Sequence, residues 1–299
     1  MDFQSIALPS ELRYRYKNKY FYLFIAGANI ESILDYPKQF LKKINLYICN
    51  SKNQEMLITI DVGNSRIKVA VFEQDILVEL YVVEPNEAQI FFSEIFKQYP
   101  KIEKALFSSV GQFDQEVLAF IQNQVTTQIV HHQTKFPFRN HYATPETLGI
   151  DRMVLAAGAT LMFPNKNRLV IDAGTCVTYD FVDQNNHYLG GAISPGIALR
   201  YKSLNDYTQN LPLLAKSEID NLVGNSTENS IHSGIIHGLV FEMDGFISQY
   251  FHKYPDLTVI LTGGDADFLA KRLKNPIFAH SNFLLESLRL LSTYTHQND

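Results

Sequence analysis

The sequence has no tryptophan and only two cysteines, Cys49 and Cys176, in 299 residues. Two cysteines cannot build a disulfide framework, and no C-x-x-C or Cys/His spacing marks a structural zinc site. That usage suits a reducing, cytoplasmic setting. No run approaches the ~18 consecutive apolar residues of a membrane helix, so no membrane partner is implied. Charge is sparse: 26 Lys/Arg against 31 Asp/Glu leave a formal −5. A nucleic-acid binder would instead be basic over its binding domain, so no nucleic-acid partner is expected. What remains, 46% apolar and 19% charged, is ordinary globular composition. A chain of this length is expected to hold two domains and a substantial core.

The first 55 residues differ from the rest. They carry eight Lys/Arg against five Asp/Glu and a cluster of aromatics, Tyr14, Tyr16, Tyr20, Phe21 and Tyr22. The basic stretch from Arg13 to Lys19, the apolar stretch from Tyr20 to Ile25 and Ala26-Gly27-Ala28 imitate a secretory signal. Against that, the basic run starts late, Glu11 precedes it, and the apolar core is short and rich in tyrosine. The preferred reading is an extension outside the core, upstream of a domain that begins at Met56.

From Met56 onward the pattern runs twice. Residues 57–61 form a β-rich run ending in a glycine turn, and 66–72 and 76–83 alternate as antiparallel strands do. Helices are expected over 86–98, 115–124 and 147–163, with strands over 105–108 and 128–130. Residues 169–172 then restart with a strand and a glycine turn. Strands 175–182 and 187–193 flank the hairpin loop 183–186, and helices follow over 231–250 and 281–292, with a strand over 258–261 between them. The layout implies an α/β fold of two similar domains, 56–165 and 166–299, with a ligand cleft between them and a terminal helix that packs back on the first.

Four constellations carry chemistry. In Asp61-Val62-Gly63-Asn64-Ser65-Arg66-Ile67-Lys68, an acidic residue ends a strand and a glycine turn follows. Its backbone N–H groups suit phosphate oxygens, Lys68 adds a charge, and Asp61 suits a hydrated Mg²⁺. Alone, D-x-G-N is also a common hairpin turn. Asp172-Ala173-Gly174-Thr175 repeats the design one domain later, and the pair is more specific than either copy. Thr262-Gly263-Gly264-Asp265-Ala266 adds a third glycine turn, suited to a flat ligand such as adenine. The third constellation runs from Tyr142 to Gly149-Ile150-Asp151-Arg152, where Pro145 is expected to fix an extended loop before the helix. Asp151 then falls in the first helical turn, where a carboxylate is often only a dipole partner, and Arg152 suits a substrate carboxylate. The polar turn Gly224-Asn225-Ser226-Thr227 leads into the long helix, with Asn229 or Ser230 expected as its cap. His131-His132 and His232/His237 have poor spacing for a shared metal, and Lys271, Arg272 and Lys274 read as a solvated helix end.

Six motifs in this order resemble those of type III pantothenate kinases: Asp61-x-Gly-Asn-Ser-x-x-Lys68, Gly149-Ile-Asp-Arg152, Asp172-Ala-Gly-Thr175, Gly190-Gly-Ala-Ile-Ser-Pro-Gly196, Gly224-Asn-Ser-Thr227 and Thr262-Gly-Gly-Asp-Ala266. The resemblance spans about 56–290. It implies two ribonuclease-H-like domains of the actin/sugar-kinase/Hsp70 type and ATP-dependent phosphorylation of pantothenate, the first step toward coenzyme A. It also implies roles by position. Asp61, Val62, Gly63, Asn64, Ser65, Arg66, Ile67 and Lys68 would bind ATP with Mg²⁺, and Thr175 would touch ATP. Asp151 would accept the hydroxyl proton. Tyr142, Gly149, Ile150, Asp151, Arg152 and Thr227 would bind pantothenate, Asp172 would hold a monovalent cation (K⁺ or NH₄⁺), and the chain would form a homodimer. Ser65 stands where Thr is frequent, and Cys176 where a small residue is common, which suggests a buried small side chain. Two alternatives compete: another small-molecule phosphotransferase of the superfamily, and a non-enzymatic transcriptional accessory factor.

Overall fold

The first strand, β1 (Met56–Val62), buries Ile58 and Ile60 completely. It turns at Gly63 into the antiparallel β2 (Ile67–Glu73), where Val69 and Val71 are equally buried. A computed structural model of the chain describes residues 56–63, 65–109 and 113–298. The expected N-terminal extension and Asn64 lie outside the described residues. The strand β3 (Ile76–Val83) continues the antiparallel run. After it come α1 (Ala88–Gln98), β4 (Ile102–Ser109), α2 (Gln115–Gln124) and β5 (Thr126–Ile129). The helices α1 and α2 turn Phe92, Ile95, Val117 and Ile121 into the core. Asp114 caps α2 by accepting from the Glu116 N–H at 2.8 Å. The sheet order is β3-β2-β1-β4-β5.

The second sheet is built from β6 (Arg139–Asn140), β7 (Asn167–Ala173), β8 (Cys176–Val182), β9 (His187–Pro195), β10 (Leu257–Thr262) and β11 (Phe278–Ala279). Its order is β11-β10-β7-β8-β9-β6. The strands β7, β8 and β9 are antiparallel, whereas β10 runs parallel to both β7 and β11. Apart from β6, this is the order of the first sheet, so the duplication expected from the sequence is present as two mixed α/β sheets of one design. The hairpin at 183–186 holds Asn186 at φ 63°, and Arg168, fully buried, donates to Asn186 Oδ1 at 3.1 Å. The helices are α3 (Ile150–Met162), α4 (Ile197–Asp206), α5 (Thr227–Lys253), α6 (Ala266–Ala270) and α7 (Phe283–Asn298).

These elements form two compact units, 56–107 with 113–128, and 108–109 with 129–298. Residues 129–165, which the sequence division groups with the first domain, therefore pack within the second unit. The reason is α3, buried without a break from Arg152 to Thr160 against β7, β8 and α7. Its Gly158 lets α7 come close: a Cβ there would stand 2.4 Å from Ser287 Cβ and 2.9 Å from Ser287 Cα. The long helix α5 buries Ile235, Leu239, Met243 and Ile247 along one face, as its spacing predicts. It begins at Thr227 rather than 231, because Ser226 is its cap and accepts from the Asn229 N–H at 3.2 Å. Asn229 is thus the donor in the cap rather than the capping residue.

Candidate active site

In the first unit, Asp61 sits at the end of β1 with Lys68 as its register partner on β2. The turn closes where the Gly63 N–H donates to Arg66 O at 3.1 Å, and a Cβ on Gly63 would press that oxygen at 3.3 Å. Val62 and Ile67 bury their side chains in the core, so only their backbone is available to a ligand. Ser65 and Arg66 are exposed, and Arg66 pairs with Glu84 at 3.3 Å. Lys68 is half-buried and Asp61 nearly buried.

In the second unit, three glycine-containing segments meet. The Gly174 N–H donates to Cys176 O at 2.9 Å, that of Gly196 to Thr175 O at 3.0 Å, and that of Asp265 to Ala173 O at 3.0 Å. Side chains would break this junction. A Cβ at Gly196 would lie 2.1 Å from Gly174 O. Gly263 takes φ 98°, a conformation glycine adopts without strain. A Cβ there would fall 2.4 Å from both Asp172 Oδ1 and Ala173 O. The missing Cβ at Gly263 is therefore what lets this turn approach Asp172 and Ala173 so closely. Thr175 is exposed, and so is Cys176, against the expectation of a buried side chain; it starts β8 at the mouth of the turn rather than inside the sheet.

The start of α3 is the third element. Pro145 opens a 3₁₀ turn over Pro145–Thr147 instead of an extended loop, since its fixed φ suits a first helical position equally well. Gly149 occupies the N-cap of α3, and Asp151 Oδ1 accepts from the Arg152 N–H at 2.8 Å. That carboxylate folds back over Gly149, where a Cβ would stand 2.4 Å from Oδ1. Burial raises the Asp151 carboxyl above its usual range, against the pull of the Arg152 N–H and charge. Ile150 is half-buried beside them.

Arg152 is 6% exposed, and its guanidinium donates through Nε at 2.9 Å and Nη2 at 2.7 Å to Asp180 Oδ1. The Tyr188 hydroxyl donates to the same oxygen at 2.6 Å. The Tyr142 ring lies 5.7 Å from the guanidinium carbon. It rests against Gly190, at φ 102°, where a Cβ would meet the ring at 3.2 Å. The structure thus brings Tyr142, Gly149, Asp151 and Arg152 together, and it adds Asp180 and Tyr188, which sequence reasoning missed. No local signal marked Asp180, which shares its face of β8 with Thr178 and so reads as a polar position.

Thr227 lies elsewhere. At the first position of α5 it lines a 670 Å³ cavity with Arg200, Ser203, Ser230 and Gly234, and none of the residues around Asp151 joins that lining. Two of the histidines have local partners: His132 Nε2 is 2.9 Å from Leu148 O, and His232 Nδ1 is 2.6 Å from the Tyr201 hydroxyl, whereas His237 Nε2 has no hydrogen-bond partner among the described residues. Arg272 is no solvated helix end, since its guanidinium stacks 3.7 Å from the Phe268 ring centre and pairs with Glu218.

Residues 57–249 match the sequence profile of type III pantothenate kinase. A type III pantothenate kinase of Flavobacterium johnsoniae is 52% identical over 244 residues, covering 82% of this chain and 100% of that protein. One from Flavobacterium psychrophilum is 52% identical over 239 residues, with 80% and 99% covered. One from Bacteroides fragilis is 39% identical over 243 residues, with 81% and 99% covered. Among solved structures, a Campylobacter jejuni protein assigned to the Baf family of transcriptional activators superposes with a TM-score of 0.52. It is 19% identical, and the match covers 80% of this chain and 99% of that one. At that identity the likeness speaks for the fold alone. With two glycine-turn sheets of one design and the six ordered motifs, the chain belongs to the type III pantothenate kinase family.

Proposed function

We propose that the chain transfers the γ-phosphoryl group of ATP to the primary hydroxyl of pantothenate, giving 4'-phosphopantothenate in the first step of coenzyme A biosynthesis. The observation that carries this reading is the start of α3, where a carboxyl lifted by burial stands one residue from a fixed guanidinium. Asp151 is the proton acceptor. As the hydroxyl oxygen bonds to γ-phosphorus, the bond from that phosphorus to the β,γ-bridging oxygen breaks, the hydroxyl proton passes to Asp151, and ADP leaves. Burial that raises the Asp151 pKa makes its ionised form a better proton acceptor. Gly149, Ile150, Arg152 and Tyr142 line the pantothenate side, with Arg152 taking the carboxylate.

The turn from Asp61 to Lys68 takes ATP phosphate oxygens with its backbone N–H groups and the Lys68 charge, and Thr175 contacts ATP. Asp61, at the end of β1, would be the protein carboxylate for a hydrated Mg²⁺ brought with ATP, which would neutralise phosphate charge. Asp172, half-buried near the end of β7, is the residue to hold K⁺ or NH₄⁺. Thr227 contributes to pantothenate binding in a homodimer. The open side of α5, with Gly234 and Gly245 exposed and Phe241 53% exposed, supports an assembled state, which sedimentation would test. No helix among the described residues is long and apolar enough to cross a membrane, and a cytoplasmic setting fits the pathway.

The test is coupled ADP release with MgATP and pantothenate, in potassium and then in sodium buffer. Pantothenate-dependent turnover that needs potassium is expected. Turnover indifferent to the cation would remove Asp172 from its role, and absence of turnover with ATP still bound would overturn the activity.

A further inference from the structure

We propose that Asp180 is a positioning residue for substrate carboxylate recognition: it holds the Arg152 guanidinium by one edge so that the other edge is presented to pantothenate. The inference rests on the reading of Arg152 given above and names what makes that residue selective.

Asp180 is fully buried in the middle of β8, and Arg152 is nearly so. Such a pair is often no more stabilising than apolar residues of the same volume, so stability alone is a weak reason for it. The geometry supplies another. A carboxylate that only neutralises an arginine commonly meets it fork to fork, with both oxygens. Here one oxygen does the work. Asp180 Oδ1 accepts from Arg152 Nε at 2.9 Å, from Arg152 Nη2 at 2.7 Å and from the Tyr188 hydroxyl at 2.6 Å. Oδ2 has no hydrogen-bond partner among the described residues.

Because the guanidinium is planar and its five N–H groups are fixed, binding the Nε/Nη2 edge turns the Nη1 side away from Asp180. The Tyr142 side chain is a further neighbour of the guanidinium, its ring centre 5.7 Å from the guanidinium carbon, and Gly190 makes room for that ring. The edge held by Asp180 thus removes much of the rotamer freedom of a long side chain before any ligand arrives. Asp180 reaches the substrate only through Arg152. It is therefore not catalytic, and its loss would loosen recognition of the carboxylate without touching the ATP turns.

The experiment compares pantothenate with pantothenol, the neutral analogue whose carboxylate is replaced by an alcohol. It uses the full chain carrying Asp180→Ala, Asp180→Asn, Arg152→Ala or the double substitution Asp180→Ala/Arg152→Ala. Folding is checked by thermal melting, and KM is measured for both acceptors and for ATP. Asp180→Ala is expected to raise the pantothenate KM about tenfold, far more than it lowers kcat, with the ATP KM unmoved. The preference for pantothenate over pantothenol falls by a similar factor. The double variant shows the same preference as Arg152→Ala alone, because the two residues act as one device. Asp180→Asn keeps an acceptor oxygen at the same reach and restores the preference to within about threefold of the unaltered chain.

A folded Asp180→Ala protein with undiminished preference overturns the proposal, as does a double variant that loses more preference than Arg152→Ala. If the alanine variant does not fold, Asp180→Thr, close in volume and suited to a strand, carries the same expectations. Arg152→Ala with intact preference would refute the carboxylate role itself. That arm carries no Asp180 substitution and reports separately from the single Asp180 variants, so failure of the underlying reading is distinguishable from failure of the inference.

Discussion

Replacing Gly158 by alanine sets two effects of opposite sign against each other, and the structure decides between them. In an exposed helix interior, glycine to alanine gains about 1 kcal/mol of helix propensity. At Gly158 the new Cβ would stand 1.9 Å from Ser287 Oγ, 2.4 Å from Ser287 Cβ and 2.9 Å from Ser287 Cα. The hydroxyl can rotate away, at the cost of its 2.7 Å bond to Phe283 O. The clash with the two Ser287 carbons cannot be relieved by a rotamer. Carbon atoms pack at about 3.5 Å or more, so α3 and α7 must separate by roughly 1 Å. Overpacking of this kind costs about 1–3 kcal/mol, and the upper end applies where backbone is struck. After the propensity gain, about 2 kcal/mol of destabilisation remains, a fall in Tm of about 4–8 °C for a unit of this size. Activity falls further than stability, because Asp151 and Arg152 ride on the same helix and a displacement near 1 Å costs on the order of 10²-fold. Scanning calorimetry with steady-state kinetics is the assay. A Gly158→Ala protein that melts at or above the temperature of the unaltered chain would refute the close-packing argument.

Other expectations follow from the start of α3. Asp151→Asn keeps shape and removes the proton acceptor, so turnover falls by about 10²–10⁴-fold while Tm holds, as single-turnover kinetics and melting would establish. Because burial raises the Asp151 pKa, the acid limb of kcat against pH sits above the ordinary aspartate range: activity is full when the carboxyl is ionised and is lost as pH falls through the raised value. A limb at or below the ordinary range would contradict this. Gly149→Ala puts a Cβ 2.4 Å from Asp151 Oδ1 and displaces that carboxylate, so kcat falls by a larger factor than Gly158→Ala produces, with a smaller change in Tm.

Legibility in the sequence followed how local each signal was. Strands closed by D-x-G turns were readable because period-two alternation and a glycine punctuate a few residues at a time, and β1, β2, β7 and β8 lie where that reading puts them. The short helix α4 was not legible, because only Ile197 and Tyr201 are buried and one turn of spacing is no pattern. Asp180 escapes notice for a different reason. A polar residue in an alternating strand reads as the solvent face, and only the packing of α3 over β8 turns it inward. Arg272 reads wrongly as solvated because its partner, Glu218, is 54 residues away. The motif residues around Asp151 were legible as types in order, but not the fold-back of its carboxylate over Gly149, which depends on side-chain torsions.

The two sheets share a strand order but not a border. In the second, β6 lies parallel along β9 over only two residues, Arg139 and Asn140, and covers part of an edge that would otherwise offer unpaired N–H and C=O groups. In the first, the corresponding edge is β3, which has no further strand among the described residues and exposes Val78, Leu80 and Val82. An uncapped, apolar edge is a template for pairing with a foreign chain. Among the described residues, the duplicated design therefore leaves its two halves with unequal resistance to edge-on aggregation, and the weaker border belongs to the sheet that carries Asp61 and Lys68.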